Sequence, residues 1–527
     1  SMMNFLHHKN GLFLTLLISI AFLLGFYSEV LFNPNEYIFS ASGDGIKNYF
    51  TFMYHIKNDV NTYSFSGMAY PFGDLHIFTD GHTLLSSALQ FIPQSEKWAI
   101  GFLNLLLLSS FPITSCVLYK LLRSFNIRKY IAVLFSITMM LMAPQYTRMF
   151  GHLSLAYSFF IPLTWYWIRR FNVYPSKKHT IYIFAFQLIL YFTHPYLGVI
   201  SLFFILVHQG LIFFIDKSKR SLTFALHSFF QSLLPLILFQ FYINILNNVT
   251  DRASYKFNFG SANLDLKGVF FPHRKPFLSI FKSLFNFDDV KWESLSYIGI
   301  VNVVFLLLIS YRFIIRKRKW FRIKKNWIII IGIISLIYSS GLIFKYWPGI
   351  LDIVPQIRQI RVLSRFAWIF YFTSSVFVAI YFNKIYVNYL WKNKKAIAVL
   401  CTLLIFSTTA WEAYSYHSKS TEKMTVYKNP FILKNLSENQ QNEIKSLKHS
   451  EYQALFALPY FQVGGERSIH NIKDYDLFYE VLIISYHTNI PLINTCLSRS
   501  SSKKLGELSR ILKENYTEQP LRKTFIK

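Results

Sequence analysis

Residues 11–32 read GLFLTLLISIAFLLGFYSEVLF, an apolar run whose one charged residue is Glu29. At about 1.5 Å of rise per residue, such a run spans the ~30 Å hydrocarbon core of a bilayer as one helix. It is too long for the apolar part of a signal peptide and lacks a small-residue cleavage site, so it reads as a retained first membrane helix. Working outward, comparable stretches recur at 98–119, 130–149, 153–168, 179–193, 196–215, 221–246, 296–315, 326–345, 366–383 and 396–411. Together they predict an all-α polytopic membrane protein with about eleven transmembrane helices. The composition agrees, with 53% hydrophobic and 19% aromatic residues among 527, too apolar for a soluble globular chain.

Basic residues set the expected orientation, because short loops rich in Lys and Arg stay in the cytoplasm. The even-numbered spans end in such loops: 120–129, 169–178, 216–220, 312–325 and 384–395 carry 23 Lys and Arg against one acid, Asp216. This predicts a cytoplasmic N-terminus, and an outer position for a first loop at 33–97 and for a tail at 412–527. The chain thus divides into a transmembrane domain, 1–411, and a small soluble α/β domain outside the cytoplasm, 412–527. Strand-like QALFALP, apolar YEVLIISYH and helical KKLGELSRILKENY supply the elements of that tail. The net charge of +29 is accounted for by the basic loops and anionic headgroups, which excludes nucleic acid as a partner. Cys116, Cys401 and Cys496 are scattered and odd in number, indicating neither a disulfide framework nor a metal cluster.

Within the first loop, GDGIKNYFTFMYHIKND places Ile46, Tyr49, Phe50, Met53 and Ile56 at helical spacing, with polar residues opposite. The pattern predicts an amphipathic helix on the membrane surface. HTLLSSALQFI repeats it, and the Gly-rich FSGMAYPFGDLHIFTDG joins the two.

Asp44 lies at the start of this loop between Gly43 and Gly45, where a ligand can approach the backbone, and is the first candidate for a catalytic carboxylate. Its plain alternative is to N-cap the helix that it precedes. Asp80 and His82 are candidate substrate-binding residues ahead of Asp74, each with a turn or cap as its plain alternative. D-x-H is too generic for a metal site; no cofactor is indicated and a divalent metal has no support in the sequence. His152 and His194 fall at the outer ends of spans, level with the first loop, and join the substrate-binding candidates. Arg358, Arg361 and Arg365, in QIRQIRVLSRFAW, repeat at three and four residues, predicting one helical stripe whose guanidinium forks suit a lipid phosphate. Their plain alternative is snorkelling toward ordinary headgroups.

A long outer first loop opening on an acid, many spans, and arginines before a late span resemble the GT-C superfamily of membrane glycosyltransferases. The likeness covers residues 11–411 in topology. It implies a GT-C-like fold and transfer of a sugar from a polyprenyl-phosphate-type carrier to an acceptor hydroxyl. On that resemblance Asp44 acts as the base, and Arg361 and Arg365 hold the carrier phosphate. The partners implied are the lipid-linked donor, a glycan, lipid or protein acceptor, and membrane lipids. The chain departs from the oligosaccharyltransferase branch, having no matching metal-binding acidic pair in the outer loops and no WWD-type signature; DYD at 474–476 comes nearest. Frequent Lys, Asn, Ile, Phe and Tyr match an AT-rich bacterial genome, which puts the active side beyond the inner membrane. The rival readings are a transporter or flippase of lipid-linked glycans, an O-antigen-ligase-like glycan transferase, and a receptor that uses the tail.

Overall fold

A computed structural model describes residues 2–252, 259–260, 262–315, 323–448, 451–464 and 471–512. The chain is mostly helical. Seven helices among the described residues are long and apolar enough to cross a membrane: Asn10–Phe32, Ala99–Ser124, Lys129–Phe150, Pro195–Ile215, Leu222–Leu246, Leu363–Asn393 and Lys395–Met424. The other predicted stretches are helical but shorter: Phe160–Val173, Lys177–Thr193, Ile300–Ile315 and Ile323–Ser339.

The bundle is organised around Leu363–Asn393, of whose apolar window 94% is buried, against 28% for the first and last spans. Ser374, Ser375 and Thr373 sit in this buried helix because each hydroxyl bonds to a carbonyl within its own helix. The first and last spans are joined by a polar contact inside the apolar bundle. His417 Nε2 donates to the Leu141 carbonyl at 2.8 Å, leaving Nδ1 to accept from Tyr27 Oη at 2.6 Å.

The first loop and the tail form a cap on one end of the bundle. Tyr37–Ile38 pairs antiparallel with Tyr427–Lys428, and Gln462–Gly464 pairs parallel with Thr495–Leu497. Leu492 and Asn494 exchange backbone hydrogen bonds with Gly67, Ala69 and Tyr70. The boundary read at residue 411 falls inside a helix that runs unbroken over Lys395–Met424. Within the tail, QALFALP forms only an isolated bridge at Leu455, whereas YEVLIISYH lies in the helix Tyr475–Thr488. KKLGELSRILKENY is helical over Ser502–Ser509, and its end lies outside the described residues.

The helix expected on the membrane surface is instead enclosed. Gly43–Asn58 forms as predicted, but residues 45–56 are buried on every face, between the bundle and the tail helix Tyr475–Thr488. Its polar side can be buried because most of its donors find partners there. Asn48 donates to the Gly151 carbonyl at 2.5 Å, Thr51 to the Asn48 carbonyl at 3.3 Å, and Lys47 meets two carboxylates.

Asn104 ties the cap to the second span. Its amide donates to the carbonyls of Pro34 and Tyr37 at 2.9 and 2.8 Å, and its oxygen accepts from Tyr49 Oη at 2.9 Å, the last two out of solvent. Asn104→Leu takes their partner from the Pro34 and Tyr37 carbonyls and from the Tyr49 hydroxyl, and is expected to cost about 3 kcal/mol. Thermal unfolding in detergent and protease nicking within 33–97 measure this; an unchanged midpoint and an intact loop would show that these bonds do not hold the cap.

Candidate active site

The site is built from the start of the Gly43–Asn58 helix. Gly43 has φ +53°, a left-handed value, and a Cβ on Gly45 would collide with the Ser40 side chain, so both glycines are dictated by the tight entry into the helix. Ser42 is the N-cap residue, which corrects the reading of Asp44 as the cap. Asp44 stands in the first turn, where the helix dipole favours a carboxylate and where Lys47, three residues on, lies on the same face.

A chain of charged contacts runs from this turn in both directions. Lys47 Nζ sits between Asp44 Oδ1 at 3.1 Å and Asp80 Oδ2 at 3.0 Å, and Asp80 Oδ1 faces His194 Nε2 at 3.4 Å. On the other side Asp44 Oδ2 lies 3.7 Å from His152 Nε2, which is 3.9 Å from Glu293 Oε1. Glu293 is gripped by two guanidinium groups: Arg365 through Nη2 at 2.8 Å and Nε at 3.1 Å, and Arg148 through Nη1 at 3.0 Å. Aromatic faces support these cations, with Arg148 4.0 Å over the Trp292 ring and Arg365 4.7 Å over Tyr196. Tyr196 Oη also accepts from the Val362 N–H at 3.0 Å, tying the Arg365 segment to the helix that begins beside His194. The tail contributes to the same place. Tyr475 stands next to Gly43, and buried Cys496 lies in the field of Lys47, with burial pushing its thiol up to about 12.

Electrostatics divides this network in two. Asp44, Asp80 and Lys47 sum to one negative charge, and Glu293, Arg148 and Arg365 to one positive charge. Lys47 holds the Asp44 carboxyl below the usual range against the opposing effect of burial. Burial opposes the Lys47 charge, but Asp44 and Asp80 outweigh it and hold the ammonium well above its usual range. Burial likewise opposes ionisation of Asp80, and Lys47 and His194 overcome it. Glu293 is lowered to about 2, its burial outweighed by Arg365 and Arg148. His152 falls to about 3, through burial and then the Arg365 charge, so it is a neutral imidazole between the two halves. Asp44 is the most open of the three carboxylates, with 47% of its side chain exposed against 19% for Asp80 and 21% for Glu293.

Of the residues singled out from sequence, the structure brings together Asp44, Asp80, His152, His194 and Arg365. His82 stands behind them, buried, with Nε2 2.8 Å from Tyr157 Oη. Asp74 is taken by an ion pair with Arg252. The helical arginine stripe does not form. Pro355–Gln359 and Leu363–Phe366 are separate 3₁₀ turns with an extended segment between them, because Pro355 starts a new turn and 3₁₀ spacing breaks the face. Arg358 therefore pairs with Asp352 at 2.6 Å, Arg361 is exposed, and only Arg365 turns inward. Lys47, Arg148 and Glu293 are the members that sequence reasoning missed. Lys47 had a signal in its i+3 spacing from Asp44, and Arg148 in its place inside an apolar stretch, where a charge implies a buried partner. Glu293, remote in sequence from both of its arginines, had none.

Among solved structures, the chain is similar to an Archaeoglobus fulgidus oligosaccharyltransferase tethered through a disulfide to an acceptor peptide containing the NVT sequon. The identity is 13%, the TM-score 0.42, and the match covers 93% of this chain and 64% of that one. The chain therefore corresponds to less than two thirds of that protein's length. No curated protein matches it in sequence. A family model described as a domain of unknown function, DUF6311, matches residues 15–407, most of the chain, and the protein belongs to that family.

Proposed function

We propose that this protein is an inverting membrane glycosyltransferase that moves a sugar from a polyprenyl-phosphate-type carrier to an acceptor hydroxyl at the outer face of the membrane. The observation that carries this reading is the division of one network into a negative half with an open carboxylate and a positive half, bridged by a neutral imidazole. Glycosyl transfer needs both. The acceptor hydroxyl gives its proton to Asp44 as its oxygen attacks the anomeric carbon. The bond from that carbon to the carrier phosphate breaks, its electron pair leaves on the phosphate oxygen, and configuration inverts. The acceptor oxygen acquires its acidity as the bond forms to an oxocarbenium-like carbon, so a carboxylate of low pKa serves as base.

In this scheme Arg365 and Arg148 keep one uncompensated positive charge beside Glu293, where negative charge grows on the departing phosphate, and no general acid is required. Asp80 and His194 orient Lys47, which fixes the Asp44 carboxylate. The buried Lys47 ammonium occupies the space between Asp44 and Asp80 that a divalent ion bridging them would need. Arg361, exposed on the adjoining segment, is available to the carrier phosphate at the membrane surface. Under this reading the shorter helices also cross the bilayer, completing the eleven spans, and the cap lies outside the cytoplasm.

Asp44→Asn is expected to lower turnover by a factor of about 10² to 10⁴, with Asp80 still meeting Lys47 and a thermal unfolding transition verifying that the variant is folded. Transfer from a radiolabelled polyprenyl-phosphate sugar measures this. Unchanged turnover would remove the base assignment, whereas movement of the lipid-linked glycan without product would make the protein a transporter.

The rate tracks the ionised fraction of Asp44, whose pKa lies below the ordinary carboxylate value of about 3.9, so it is expected to stay flat from about pH 5 to 8. Lys47→Met removes the main cause of the lowering, so the acidic limb should move to higher pH. A wild-type limb near pH 6.5 would point to a titrating histidine instead. Activity is further expected to survive prolonged EDTA treatment, since an ammonium compensates the carboxylate pair; loss of activity restored by a divalent ion would contradict the role given to Lys47.

A further inference from the structure

Apart from the Asp44 network, an open cleft lies at the same end of the bundle. Thr147 lines it, and the next residue, Arg148, belongs to the charged network. One wall is apolar, formed by Leu141, Met142 and Leu295, while Arg274 and Lys275 supply positive charge. The Arg274 guanidinium lies 4.4 Å over the Tyr416 ring, which positions it without using its fork of donors. No ion pair among the described residues involves Arg274 or Lys275. The one carboxylate lining the cleft, Glu412, is already committed, accepting from Tyr297 Oη at 2.8 Å and from the Ile300 N–H at 3.1 Å.

The helix just beyond Lys275 identifies the medium that covers this cleft. Phe277–Phe285, FLSIFKSLF, has no buried residue, and it leaves Ile280, Leu284 and Phe285 50%, 69% and 56% exposed. Its start packs on Trp411 with ring centroids 5.6 Å apart, and Trp411 itself is 59% exposed on the last span. An amphipathic helix beside an exposed tryptophan where the apolar stretch of the last span gives out, at residue 411, belongs at the bilayer interface, with its apolar face among the upper acyl chains. That depth puts Arg274 and Lys275 level with lipid phosphates.

We propose that this cleft is a binding site for an anionic membrane lipid, with Arg274 and Lys275 on the headgroup phosphate and an acyl chain along the Leu141–Met142 wall. The site does not depend on glycosyl transfer. Its chemistry is that of a phosphate diester carrying an apolar chain, recognised by a planar guanidinium fork and a neighbouring ammonium.

The test uses the full chain reconstituted in nanodiscs of phosphatidylcholine alone or mixed with phosphatidylglycerol, then released into neutral detergent for native mass spectrometry. Wild type is expected to retain phosphatidylglycerol in preference to phosphatidylcholine. Arg274→Gln with Lys275→Gln should lower that retention by about tenfold or more. Lys434→Gln with Lys445→Gln, which removes the same charge from exposed positions that make no ion pair among the described residues, should leave it unchanged. Met142→Trp fills the apolar wall and should also abolish retention, with thermal midpoints verifying that each variant is folded. Undiminished retention in the Arg274 and Lys275 variant, or equal loss in the charge-matched control, would overturn the site. Stabilisation by inorganic phosphate in the phosphatidylcholine discs that survives Met142→Trp would assign the two cations to a free anion and overturn the lipid.

Discussion

A lysine ammonium with only 5% of its side chain exposed is the constraint on which the cap depends. Removing such a charge from water costs several kcal/mol unless carboxylates meet it at close range, and Lys47 meets two, from opposite ends of the first loop. Because Asp44 lies on the same helix and Asp80 more than thirty residues on, compensation of that charge closes the loop on itself. The buried polar face of Gly43–Asn58 is a result, and with it the place of Asp44 at the open edge. A second compensation, Glu293 between two arginines, does the same for the segments around Arg148 and Arg365. One neutral histidine separates the two.

How far the sequence can be read depends on the range of the interactions involved. Apolar runs are local, so helices appear wherever periodicity and hydropathy place them, and the Gly43–Asn58 helix is legible from its spacing. Its burial is not. The same residues that suggest an interfacial helix are enclosed because Asn48, Lys47 and Tyr49 find partners on Gly151, Asp80 and Asn104, none of them near in sequence. Asp44, Asp80, His152 and His194 can be nominated as polar residues level with one another at span ends, and the structure places them in one chain of contacts. The arginines divide instructively. A spacing of three and four implies a common face only if the segment is an α-helix, and the turns around Pro355 and Leu363 separate Arg358 and Arg361 from Arg365.

The tail illustrates the same limit. Its helix at Tyr475–Thr488 and its short strands have recognisable patterns, yet no local pattern records that Leu492 and Asn494 pair with Gly67, Ala69 and Tyr70, or that Cys496 lies beside Lys47. A length of chain that looks like an appended domain is a wall of the candidate site. The last span announces this by continuing past its apolar stretch to Met424 without a hinge, carrying His417 against the first helix.

The pairing of Tyr37–Ile38 with Tyr427–Lys428 joins the beginning of the first loop to the beginning of the tail. Both strands issue directly from spans, so this clasp is anchored twice in the bundle and cannot swing aside as a hinged flap would. A roof fastened in this way keeps the entry to the Gly43–Asn58 helix and the start of the tail in one register, so the position of Asp44 is inherited from the two membrane helices that carry the strands.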